Sequence, residues 1–139
     1  MRYLVLVSHG ELAKGMSHAL EMLAGKRSDL IAVGLKDGTD QFSNDLIEAL
    51  AEVGENDELI VVGDLIGGSP LTTATNIISQ SGRDSVIIGG MNLPLALTVL
   101  VMKDALSTLQ DVVEEGLKEG RKAVEQFIIE TSDDEDDDI

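Results

Sequence analysis

The chain has only two imidazoles, His9 and His18. His9 closes an apolar run, Leu4-Val5-Leu6-Val7-Ser8-His9-Gly10. A second apolar run, Leu59-Ile60-Val61-Val62-Gly63, ends in Asp64 and leads into Gly67-Gly68-Ser69-Pro70. If the two runs are neighbouring strands, His9 and Asp64 meet at one edge of a sheet. A carboxylate that accepts from Nδ1–H fixes the tautomer and leaves the Nε2 lone pair free as a nucleophile or base. Backbone amides of Gly10, Gly67 and Gly68 and the Ser69 hydroxyl could then hold the oxygens of an anion at a helix start. Phosphoryl transfer suits so sparse a set, because it needs mainly positioning and electrostatic stabilisation. Ser8 and Asn92 are candidate rim residues.

The elements that must position this set are legible as alternating segments. Four runs rich in Val, Ile and Leu (Tyr3 to Val7, Leu30 to Leu35, Leu59 to Gly63, Val86 to Ile88) lack polar alternation, as parallel strands covered on both faces do. Between them lie helical periods: Leu12, Met16, Ala19, Leu20 and Leu23; Phe42, Leu46, Leu50 and Val53; Leu71, Ala74, Thr75 and Ile78. The alternation predicts an α/β fold, an open parallel sheet with helices on both faces. With right-handed crossovers the strand order is 2-1-3-4. The order then reverses between the first and third strands, where open sheets bind ligands. A last helix carries Leu109, Val113, Leu117 and Val124. Ser107 with Gln110 reads as its capping box, and Ser69-Pro70 as an N-cap followed by proline. Gly116 and Gly120 share one face of this helix, which predicts close packing there. Gln126-Phe127-Ile128-Ile129-Glu130 reads as an added antiparallel edge strand. We expect one domain over residues 1–130 and a disordered acidic tail over 131–139.

Composition excludes several classes. The net charge is −16, with six acids in the run Asp133 to Asp138. Such a balance disfavours nucleic acid and anionic membranes. There is no cysteine, and two histidines make a poor metal site. No P-loop is present, and one Tyr and two Phe offer little to stack a nucleotide ring. We expect no cofactor and no metal. Apolar runs are too short to span a bilayer, and no secretory signal is recognised, so the reading is a cytoplasmic domain.

Each candidate also has a plainer role. His9 could be a turn residue, Asp64 a cap on the Gly67-Gly68 turn, Ser69 only a helix cap, Asn92 a turn former, and His18 a surface residue. Their combination is more specific. Ser8-His9-Gly10 after the first strand, Gly63-Asp64 then Gly67-Gly68-Ser69-Pro70 after the third, and Asn92-Leu93-Pro94 after the fourth resemble the IIA component of the mannose-family sugar phosphotransferase system. The resemblance covers about residues 1–130. It implies that His9 is transiently phosphorylated, that Asp64 orients it, and that Ser69 lies by the phosphoryl group. It also implies the phosphocarrier protein HPr as donor, a IIB component as acceptor, the membrane IIC and IID components indirectly, and a homodimer with exchanged terminal strands. Some members carry a threonine and an aromatic where this chain has Leu65 and Ile66, and the acidic tail is outside the family pattern. A phosphotransfer subunit of a dihydroxyacetone kinase system is the nearest alternative. A receiver-like signalling module would need an acidic pair after the first strand. A serine hydrolase would need a G-x-S-x-G elbow, and neither motif is present.

Overall fold

Four strands hydrogen-bond into one parallel sheet in the order β2-β1-β3-β4. The computed structural model describes residues 1–130; the expected tail, 131–139, lies outside them. In chain order the elements are β1 (Arg2–His9), α1 (Leu12–Ala24), β2 (Leu30–Leu35), α2 (Thr39–Ala49), β3 (Glu58–Gly63), α3 (Ser69–Ser79), β4 (Ser85–Ile88), α4 (Leu93–Met102) and α5 (Leu109–Lys122). The expected strands, their parallel pairing and their order are all present.

Strand alternation splits the core into two layers. Leu4, Leu6, Ile60 and Val62 face α1, α4 and α5, where Leu20, Leu95, Val99 and Val112 meet them. Val5, Val7, Leu59 and Val61 face α2 and α3, where Phe42, Leu46, Ala74 and Ile78 meet them. Residues Leu4 to Val7 are fully buried, which is why that run carries no polar residue. Each such side chain contributes roughly 1.5–3 kcal/mol on burial.

Helix α4 is absent from the periodic reading. Its sequence, Leu-Pro-Leu-Ala-Leu-Thr-Val-Leu-Val-Met, is apolar on nearly every side. It packs against α1 and α5 as well as the sheet, so no 3.6-residue polar face marks it. Gly116 and Gly120 explain the α4–α5 approach. A Cβ at Gly116 would lie 2.7 Å from Val99 Cγ2, and one at Gly120 2.7 Å from Leu95 Cβ. The glycine face is therefore packed within the chain, as close packing required. The cap of α5 is one residue later than expected. Thr108, not Ser107, precedes the helix, and its Oγ1 accepts from the Asp111 amide at 3.0 Å. The expected edge strand has no partner in the single chain. Residues 124–130 leave α5 without regular structure, with Phe127 and Ile129 89% and 91% exposed.

A polar cluster closes the amino edge of the sheet. Lys103, only 1% exposed, places Nζ 2.6 Å from Asp29 Oδ2 and 2.8 Å from Asp104 Oδ2. Arg27 grips both oxygens of Asp29 at 2.9 Å. The Arg2 guanidinium donates to Glu58 and to the carbonyls of Lys103, Leu106 and Ser107, tying the α4–α5 loop to β1 and β3. The hydrogen bond from Arg27 holds the Asp29 carboxyl far below the usual carboxylate range, against the opposing effect of burial and with the help of Lys103. The pKa is lower in the folded state, so the stabilisation is complete above the unfolded value of about 4. It is lost as pH falls toward the folded value. Lys103→Ala should cost about 3 kcal/mol in urea unfolding at pH 7, the low end for a broken buried pair because Arg27 remains. A loss below about 1 kcal/mol would show that the lysine is not needed to neutralise Asp29.

Candidate functional site

The carboxyl ends of β1 and β3 bring His9 and Asp64 together. Val7 pairs with Gly63, and the Asp64 amide continues the ladder to the Val7 carbonyl at 3.2 Å. One oxygen, Asp64 Oδ2, then accepts twice from His9. The backbone N–H donates at 3.0 Å and ring Nδ1 lies at 3.0 Å. A carboxylate can only accept, so Nδ1 carries a proton, and in the neutral ring the lone pair is on Nε2. The imidazole is 51% exposed and the carboxylate 12%. Burial pushes the Asp64 pKa up, but the backbone and ring hydrogen bonds from His9 and its charge outweigh that and hold it below the ordinary value. Oδ1 is buried and has no hydrogen-bond partner among the described residues.

The glycine turn fits beneath the ring. A Cβ at Gly68 would lie 2.9 Å from His9 Cε1, so a side chain there would displace the imidazole. Gly67 has φ +81°, a left-handed conformation that glycine adopts without strain. Gly68, not Ser69, occupies the N-cap position of α3. Ser69 is the first helical residue, Pro70 follows, and Gly68 supplies no side-chain cap. Ser69 is exposed, and the amides of Gly67 and Ser69 make no hydrogen bond among the described residues. A helix start with free donors beside an imidazole is suited to an anion.

Other expected contributors are committed elsewhere. The Gly10 amide donates to the Leu35 carbonyl at 2.9 Å, so it is not a free anion donor. Gly10 instead makes the turn after β1 at φ +54°. The Gly68 amide bonds the Leu65 carbonyl at 3.2 Å within the same tight turn. Ser8 is fully buried, and its Oγ accepts from the Ala13 amide at 2.7 Å, capping the first turn of α1 rather than lining a rim. Asn92 caps α4 through Oδ1 to the Leu95 amide at 2.9 Å, and its Nδ2 donates to the Gly120 carbonyl at 3.0 Å. It joins α4 to the end of α5, with both side-chain polar atoms engaged in holding the two helices. His18 lies on the exposed side of α1.

The surroundings of His9 are apolar, and the structure adds side chains of α1 to the aliphatic pair Leu65-Ile66 that the sequence already showed. Leu12, Leu65 and Ile66 are exposed. A groove of 610 Å³ is lined by His9, Glu11, Leu12, Met16, Ala19 and Leu93 among others. The consecutive Leu65-Ile66 inside a glycine turn was the available signal. Among the described residues no group of three or more His, Asp or Glu side chains could hold a metal.

Comparison with known proteins agrees with this architecture. The EIIA-man family model, described as the PTS system fructose IIA component, matches residues 3–116. The fructose-specific EIIA component of Bacillus subtilis is 27% identical over 111 residues, 78% of this chain and 75% of that protein. The mannose-specific EIIAB component of Escherichia coli K12 is 26% identical over 87% of this chain, which spans 38% of that longer protein. The crystal structure of phosphotransferase system component EIIA from Streptococcus agalactiae superposes with TM-score 0.79 at 17% identity, over 91% of this chain and 97% of that one. The chain belongs to the mannose-type IIA family of the sugar phosphotransferase system.

Proposed function

We propose that this chain is a cytoplasmic phosphoryl carrier that works through His9. Nε2 attacks the phosphorus of phosphorylated HPr. The new N–P bond forms as the donor's bond to phosphorus breaks, and the proton stays on Nδ1, donated in a hydrogen bond to the Asp64 carboxylate. The reverse displacement hands the phosphoryl group to a IIB component, and from there to sugar carried by the membrane IIC and IID components. The amides of Gly67 and Ser69 and the Ser69 hydroxyl hold the transferred oxygens. Ser8, Gly10, Gly68 and Asn92 shape the site without binding phosphate. The observation that carries the reading is the double hydrogen bond from His9 to a single Asp64 oxygen, which leaves Nε2, on a half-exposed ring, without a hydrogen-bond partner among the described residues. The name of the E. coli relative joins A and B components, which fits direct transfer between them. Incubation with HPr, its phosphoenolpyruvate-driven enzyme and phosphoenolpyruvate should add one phosphate per chain by intact mass. An unmodified chain under conditions that phosphorylate HPr would refute the assignment.

The same reading assigns residues 1–130 to one IIA domain, with 131–139 as an appended tail, and makes the domain a homodimer. In the sheet order, β4 is an open edge, and Ile87 on it is partly exposed. Phe127, Ile128 and Ile129 form an exposed apolar segment just after α5. Strand exchange between two copies would cover both, and twofold symmetry makes it reciprocal. The glycine face of α5 packs on α4, so the boundary between copies lies at this segment and not at that face. Ending the chain after Glu125 should convert the dimer to monomer or aggregate in light scattering. A stable monomer for the full chain at micromolar concentration would overturn the exchange.

A further inference from the structure

The β4–α4 connection touches the Asp64–Gly68 loop at two points. The Met91 amide donates to the Gly63 carbonyl at 3.0 Å, one residue before Asp64. Ile66, whose side chain is otherwise 75% exposed, lies against the Cα of Gly89. A methyl group at residue 89 would overlap Ile66 Cγ1, and would lie 2.8 Å from Cδ1 and 3.2 Å from Cβ. Only glycine leaves room for Ile66 in that place. At its far end the same loop passes under His9 at Gly68. The loop is thus held at both ends and at its crest, with the crest pinned by one side chain on one glycine.

We propose that Ile66 seated on Gly89 is a latch that holds the Asp64–Gly68 loop in register with His9, so that Gly89 and Ile66 are positioning residues for phosphoryl transfer. The proposal rests on the reading of His9 as phosphoacceptor. Asp64 and Gly68 flank the crest, one on the ring nitrogen and one against ring Cε1. A shift of the crest therefore turns the imidazole away from in-line attack. Misplacement of about 1 Å at a reacting centre can cost on the order of a hundredfold in rate. Neither side chain offers a polar atom to phosphate, so any effect runs through loop geometry.

The test combines kinetics with nitrogen-15 NMR of the unphosphorylated His9 ring. Gly89→Ala should evict Ile66 and slow transfer from phosphorylated HPr roughly 10-fold or more, and the ring signals should move toward a mixture of tautomers. Ile66→Ala opens the latch from the other side and should give a similar loss. The double variant should be no worse than either single, because both act on one contact. Ile66→Val keeps Cγ1 and should stay within about twofold of wild type. If Gly89→Ala fails to fold, the Ile66 pair still decides the matter. Wild-type ring signals and rates in Ile66→Ala, or losses that multiply in the double variant, overturn the latch. The NMR result is independent of phosphorylation, so a chain that transfers through another residue would defeat the functional reading while the tautomer signals still judge the latch.

Discussion

His9→Ala should accept no phosphate, while His18→Ala should be phosphorylated like the parent. The expectation rests on geometry that His18 does not share. His9 has its Nδ1 held by Asp64 and stands beside a helix start where the amides of Gly67 and Ser69 make no hydrogen bond among the described residues. His18 is an exposed residue on α1, and among the described residues no acid holds its ring. The imidazole of His9 is half exposed, so alanine leaves no void in the core and the fold should persist. Intact-mass analysis and the acid lability of the adduct provide the measurement. A phosphorylated His9→Ala protein, or a folded His18→Ala protein that takes up nothing, would assign the chemistry to the wrong imidazole.

Asp64→Asn should fold and transfer roughly 10²–10³-fold more slowly, the usual penalty for losing one electrostatic contact in a reacting site. The amide oxygen can still accept from the backbone and ring of His9. Its NH₂ group must then occupy the place of Oδ1, which is buried and has no partner among the described residues. The variant therefore keeps the shape and loses the charge that balances a phosphorylated or protonated ring. The wild-type acid has its pKa below the ordinary carboxylate value despite burial, so it is ionised throughout the neutral range. Its support should fail only as pH drops through that lowered value. Rapid-quench transfer rates for Asp64→Asn that match wild type would reduce the acid to a turn former.

The sequence carried the sheet well. Its four apolar runs are the four strands, and right-handed crossovers with helices on both faces, in the common order of small open sheets, placed β1 beside β3. That placement put His9 against Asp64 before any contact was seen. Helix α4 escaped because burial on several sides erases the periodicity that reveals a helix. Ser8 could have been read better. It continues the alternation of Leu4 and Leu6 toward α1, where a serine must find a buried partner. Gly10 could not, since its amide partner, Leu35, depends on the register of β2. The caps of α3 and α5 each shifted by one residue because neighbouring residues of similar capping ability (Gly68 and Ser69, Ser107 and Thr108) compete for the position.

The Arg2–Lys103–Asp29 cluster and the His9–Asp64 pair occupy opposite ends of the same strands. The two ends are therefore filtered differently by mutation. A change at the amino end strands a buried charge and is removed by misfolding, whatever its effect on transfer. Leu65 and Leu12 at the carboxyl end are exposed, and substitutions at such positions typically alter folding free energy by no more than about 0.5 kcal/mol. Under the proposed function, drift at those two positions is felt by a docking partner and not by the fold. On that reading, partner preference can change by many small steps while the fold stays out of reach of the same mutations.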